Sequence, residues 1–142
     1  MKFIVLARDE IERGVLVREP YVVISISDPG TKKPRIRQPP LCRGILSLRF
    51  HDAEPIDDFK LLPDIKLMTP NHAKRIWRFI LEHSDAIQIA VVHCEQGMSR
   101  SPAVAAALCR LLGGNDSRFF QNYAPNRFAY ELVLRAGGLQ DI

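Results

Sequence analysis

Cysteine is scarce in this chain of 142 residues: Cys42, Cys94 and Cys109 are the three, and they form no C-x-x-C pair. That count and spacing exclude a disulfide scaffold and give no zinc-finger pattern. Long apolar runs are missing too. None approaches the ~20 residues that a helix needs to cross a bilayer, so no membrane insertion is expected. The apolar stretch Phe3–Ala7 is cut short by Arg8, Asp9 and Glu10, too early for a signal peptide and well suited to a core strand. Charge of one sign is not dominant, with 20 Lys and Arg against 16 Asp and Glu. A net +4 permits attraction to anionic substrates, but no basic face interleaved with aromatics appears, and a nucleic-acid partner is not expected. Repeats and low-complexity tracts are absent. A sparse, odd set of thiols suits a reducing compartment, so a cytoplasmic protein of one domain, residues 1–142, is expected.

What is present is an alternation of strands and helices. Lys2–Ala7, Tyr21–Ser27, Gly44–Phe50 and Ala86–Val92 have strand character, the last as a nearly continuous apolar run of the kind buried on both faces. Thr69-Pro70 opens a helix with Ile76, Phe79, Ile80 and Leu81 as its apolar stripe. Ser101–Leu112 is apolar nearly all round and is stopped by Gly113-Gly114. Further helices are expected over Asp116–Asn122 and Pro125–Ala136. Residues 28–41, with Lys32, Lys33, Arg35 and Arg37 among prolines, form a basic loop. The expected fold class is α/β, a largely parallel sheet of about four to five strands flanked by helices.

One segment carries chemistry: Val92-His93-Cys94-Glu95-Gln96-Gly97-Met98-Ser99-Arg100-Ser101-Pro102. It lies between a buried strand and a buried helix. Wrapped around an anion, its backbone N–H groups from Glu95, Gln96, Gly97, Met98, Ser99 and Arg100 can point inward. Gly97 allows the turn, and the helix that comes next adds the positive end of its dipole. These donors favour the thiolate of Cys94, the nucleophilic form. Arg100 offers a planar fork that can hold two phosphate oxygens.

The His93-Cys94 pair, five intervening residues, then Arg100-Ser101 resembles the signature loop of the cysteine-based protein tyrosine phosphatases. The Gly-Met-Ser-Arg-Ser-Pro ending is similar to the dual-specificity branch and to small bacterial enzymes. The resemblance implies a hydrolase for phosphomonoesters with no cofactor and no metal, acting on a phosphorylated protein or a small phosphomonoester. Cys94 would attack phosphorus to give a phosphocysteine, and Arg100 would clamp substrate and transition state. Ser101 would assist the departing thiolate, while His93 would orient the loop and favour ionisation of Cys94.

The family takes a general acid from a loop after a neighbouring strand. Asp52 fits that place, 42 positions before Cys94, with Asp57 and Asp58 as competitors. The separation is longer than usual, and Leu61–Met68 would absorb the difference. Strands ending near Ser27, Phe50 and Val92 would bring the basic loop, Asp52 and Cys94 to one sheet edge. Glu95 puts a negative charge near the pocket mouth, which disfavours polyanionic inositol phosphates; the resemblance implies phosphotyrosine, whose phenol is a good leaving group, as the expected substrate. Two rivals use the same loop: a sulfur- or arsenate-handling enzyme, and a phosphate-binding module without turnover. Cys42 and Cys109 are packing residues or, alternatively, redox partners of Cys94.

Overall fold

The computed structural model describes residues 1–55 and 64–139. Four strands, β1 (Lys2–Leu6), β2 (Tyr21–Ser27), β3 (Cys42–Arg49) and β4 (Ile89–His93), form one sheet in the order β1-β4-β2-β3. Every pairing is parallel. Five helices accompany them: α1 (Arg8–Arg13), α2 (Pro70–His83), α3 (Arg100–Leu111), α4 (Ser117–Asn122) and α5 (Arg127–Ala136).

Successive side chains of a strand point to opposite faces, and here both faces are covered. Phe3, Val22, Ile24, Ile26, Ala90 and Val92 pack into the larger core with α2, α3 and α5. Their alternates Tyr21, Val23, Ile89 and Val91 pack on the other side with Ile11 of α1 and Ile36 and Leu41 of the 28–41 segment. Burial on both faces explains why β2 and β4 read as unbroken apolar runs, with every residue of each buried.

The helices begin where their sequences say they should. At α2, His72 N–H donates to Thr69 Oγ1 (3.2 Å) and Thr69 N–H donates to His72 Nδ1 (3.0 Å), a reciprocal cap with Pro70 in the first turn. At α5, Asn126 Oδ1 accepts from Ala129 N–H at 3.0 Å.

The expected boundaries shift in places. The fourth strand starts at Ile89 rather than Ala86, because Ala86 N–H returns to His83 O to close α2 (2.9 Å) and Gln88 N–H bonds Pro20 O (2.9 Å). The sequence pattern gives no sign of α1. It is short and charged, with Ile11 as its buried residue. Residues 28–41 contain neither helix nor strand, so they connect β2 to its parallel neighbour β3 as a covering coil. Asp57, Asp58 and part of the Leu61–Met68 stretch lie outside the described residues. Among those described, no helix is long and apolar enough to cross a membrane.

Candidate active site

A parallel sheet gathers the segments that leave its strands at one edge, beyond their carboxyl ends. Leu6, Ser27, Arg49 and His93 end the four strands there, and Arg8, Asp28, Asp52 and Cys94 come just after them respectively. A cavity of about 360 Å³ opens at this edge, lined by Asp28, Asp52, Cys94, Glu95 and Arg100 among others.

Four carbonyls of the loop from Cys94 to Arg100 are bonded to the surrounding protein. Glu95 O accepts from Arg8 N–H (3.0 Å), Met98 O from Ala124 N–H (3.0 Å), and Ser99 O from Asn126 N–H (3.1 Å). Cys94 O accepts from His93 Nδ1 at 3.3 Å. Among the described residues, no backbone N–H from Glu95 to Arg100 donates to a protein acceptor. Bonded carbonyls and successive donors left over define a concavity for an anion, and α3 begins at its end.

Gly97 makes this path possible. Its φ is +70°, and a Cβ there would stand 3.0 Å from Ala7 N and from Leu6 C. The loop therefore lies directly on the junction of β1 and α1, where Cys94 N–H also bonds Leu6 O (3.3 Å).

Cys94 is buried, and its Sγ lies 3.0 Å from Ser101 Oγ. Arg100 is 5% exposed, although it opens a helix. Its Nη1 donates to Asp28 Oδ1 (2.7 Å) and to Phe50 O (2.6 Å). One amino group is thus tied down by the ends of β2 and β3, which leaves Nε and Nη2 as the edge for an oxyanion.

His93 is fully buried, and burial pushes its pKa below the ordinary value. A neutral ring satisfies both neighbours: Nδ1–H donates to Cys94 O, and Nε2 accepts from Ser25 Oγ at 2.6 Å. Ser25 and His93 are register partners on adjacent strands. The ring ties the first residue of the loop to the neighbouring strand β2.

Asp52 stands across the cavity. Its Oδ1 accepts from Ser99 Oγ (2.8 Å) and from Asn126 Nδ2 (2.9 Å). Asn126 also donates to Ala53 O (3.1 Å), and Glu54 Oε1 accepts from Arg127 N–H (2.8 Å). The segment after β3 is therefore docked on the N-terminus of α5, where carboxylates are favoured. His51 grips residue 66 from the other side, its N–H bonding Lys66 O (2.7 Å) and its Nδ1 accepting Lys66 N–H (2.9 Å).

The fold thus brings Cys94, Arg100, Ser101, His93 and Asp52 together. Asp28 and Asn126 join the site without any signal in the sequence. Glu95 does not stand as a bare charge at the mouth. Its carboxylate pairs with Arg8 Nη1 at 3.2 Å.

Cys42 and Cys109 lie elsewhere. Cys42 starts β3, at the opposite end of the sheet from Cys94 and two strands away. Cys109 comes nine helical residues after Arg100, roughly 13 Å along α3. Neither is within the ~7 Å Cα separation that a disulfide to Cys94 requires. Burial raises the pKa of both thiols.

The fold can be compared with those of known proteins. No protein-family model matches the chain, and no curated protein matches it by sequence. Solved structures do. Human DUSP28 aligns with a TM-score of 0.54 at 17% identity, over 95% of this chain and 90% of that one. PTPMT1 in complex with PI(5)P gives 0.52 at 15% identity, over 96% and 90%. The human tyrosine phosphatase-like serine/threonine/tyrosine-interacting protein gives 0.51 at 16% identity, over 82% and 75%. The chain shares its fold with these phosphatase and phosphatase-like structures. One of these relatives is described only as phosphatase-like, so activity has to be argued from the site.

Proposed function

We propose that the protein is a cysteine-dependent phosphatase that hydrolyses phosphotyrosine on proteins. The observation that carries this is the Cys94–Arg100 loop, with a buried thiol 3.0 Å from Ser101 Oγ and carbonyls already bonded to the surrounding protein. The thiolate attacks phosphorus, the bond to the leaving oxygen breaks, and Asp52 gives that oxygen a proton. Water then attacks the phosphocysteine, its proton returns to Asp52, and the S–P bond breaks to restore the thiolate. The sulfur leaves with its electron pair, which Ser101 O–H stabilises. Throughout, Arg100 and the loop amides hold the non-bridging oxygens, and this positioning of charge is the main contribution expected for phosphoryl transfer.

Met98, Ile65 and Ala53 give the cavity an apolar wall that suits an aromatic leaving group. A phenol of pKa ~10 also departs more readily than an aliphatic alcohol. Ser101 beside the sulfur and Asp52 across the cavity favour turnover over a binding module or sulfur chemistry. A cytoplasmic setting, which keeps thiols reduced, suits the same reading.

The purified protein is expected to hydrolyse an aryl phosphate in the presence of EDTA. Cys94→Ser is expected to abolish turnover while retaining vanadate or phosphate binding. Activity undiminished in that variant, or lost completely to EDTA, contradicts the assignment.

A further inference from the structure

A second cavity, of about 610 Å³, is lined by Glu12, Arg35, Ile36 and Arg37. It is joined to the catalytic pocket through one side chain, Arg8. Nη1 of Arg8 bonds Glu95 of the catalytic pocket (3.2 Å), and its Nε faces Glu12 Oε1 of the second cavity (3.7 Å). Its Nη2 donates to Lys32 O at 2.6 Å, which fixes the basic segment beside both.

The charge around this cavity does not balance. Glu12 is the one acid among the described residues that line it, and that carboxylate is already occupied: Oε1 faces Arg8, and Oε2 accepts from Arg35 N–H at 3.0 Å. Arg35 and Arg37 are exposed, and among the described residues neither guanidinium has an acidic partner. Lys32 and Lys33, just before them, are exposed and unpaired in the same sense. The basic charge is concentrated beside Arg8, the side chain that touches both cavities.

We infer that this cavity is a second anion subsite, in which Arg35 and Arg37 receive an acidic or phosphorylated residue of a phosphoprotein substrate while its phosphotyrosine occupies the Cys94 loop. The inference rests on the phosphatase reading and narrows its substrate class. One arginine with a carboxylate on either side separates the two cavities. The two contacts, 3.7 and 3.2 Å with one guanidinium between them, put the carboxylates of Glu12 and Glu95 within about three residues of extended chain at ~3.3 Å each.

The test compares two short phosphotyrosine peptides, one with glutamates about three residues to either side of the phosphotyrosine and one with glutamines there. The acidic peptide is expected to have a kcat/KM about three- to tenfold higher, mostly through KM, with the advantage shrinking as salt rises. In the double variant Arg35→Ala, Arg37→Ala the ratio should fall to near one. Arg78→Ala, which removes an exposed cation from α2 on the opposite face of the sheet, should leave the ratio intact. Binding of the same peptides to Cys94→Ser reads the subsite without turnover, so loss of catalysis and loss of the subsite are separable. An unchanged ratio in the double variant, an equal fall in Arg78→Ala, or stronger competition by inositol bisphosphate than by the acidic peptide would each overturn the inference.

Discussion

Asp52 commits one oxygen to the protein and keeps the other for the cavity. Ser99 and Asn126 both donate to Oδ1, and among the described residues Oδ2 accepts no hydrogen bond. Asn126 is 6% exposed and uses its carbonyl oxygen to cap α5, so its amide group is locked with the donor end toward Asp52. Under the proposed mechanism it would position the acid. Asp52→Asn is expected to cost on the order of 10²–10⁴ in rate on a poor leaving group and much less on an activated aryl phosphate. Asn126→Asp should show the same dependence on leaving group in weaker form, because the cap acceptor survives while the donor is lost. Asn126→Ala loses the cap as well, at about 1 kcal/mol of stability. Rates on a phosphotyrosine peptide and on an activated aryl phosphate, with thermal melts of each variant, separate the two effects. An equal rate loss on both substrates would mean that Asn126 only supports the helix. These partners are not legible in the sequence. Cys94 and Arg100 announce themselves because one short loop carries both, whereas Asn126 stands 74 positions from Asp52 and Asp28 stands 72 from Arg100. Their pairing exists only once the strand ends meet.

At the scale of elements, β2 is readable to the residue, because burial on both faces leaves an apolar run bounded by polar turn residues. β4 starts three residues later than its sequence pattern, since Ala86–Gln88 is apolar enough to extend that pattern while its backbone is committed to closing α2 and meeting Pro20. α1 gives no signal. Six residues with one buried side chain carry too little periodicity to see, and the helix is held instead by its neighbours. Chief among these is the signature loop: Arg8 N–H bonds Glu95 O, and the β1–α1 junction presses on Gly97. Gly97→Ala tests this contact. The new Cβ would meet backbone atoms at 3.0 Å in a conformation of φ +70° that a side chain disfavours. A loss of about 1–3 kcal/mol in stability is expected, together with weakened phosphate or vanadate binding, because the loop must leave β1. Chemical denaturation and an oxyanion titration measure the two. An unchanged denaturation midpoint with unchanged binding would show that the junction yields freely.

Across the whole molecule, the two buried faces of the sheet leave room for few ionisable groups, and those that are enclosed set the response to acid. Burial lowers the pKa of His93, and also that of His72, where nearby Arg75 adds to the effect. An unfolded histidine titrates near 6.5. Between that value and the lower folded value the unfolded chain binds the extra proton, so stability rises with pH in this window. The contribution is complete above about pH 6.5 and drains away as the pH falls from there through the folded values. Geometry acts in the same direction, since a proton on Nδ1 of His72 ends its acceptance of Thr69 N–H, and a proton on Nε2 of His93 ends its acceptance from Ser25. Melting temperature should therefore decline from about pH 6.5 downward, before most carboxylates begin to titrate. His72→Gln offers a clean dissection, because glutamine at the third helical position can rebuild the cap without a titrating ring. It should flatten part of the decline, and adding His93→Gln should flatten more, at some cost in overall stability from the altered Ser25 contact. Melts across about pH 5 to 7.5 for the wild type and both variants, a window centred on the unfolded histidine value, give the slopes. Parallel slopes in all three would assign the acid sensitivity to other groups and remove the two rings from the account.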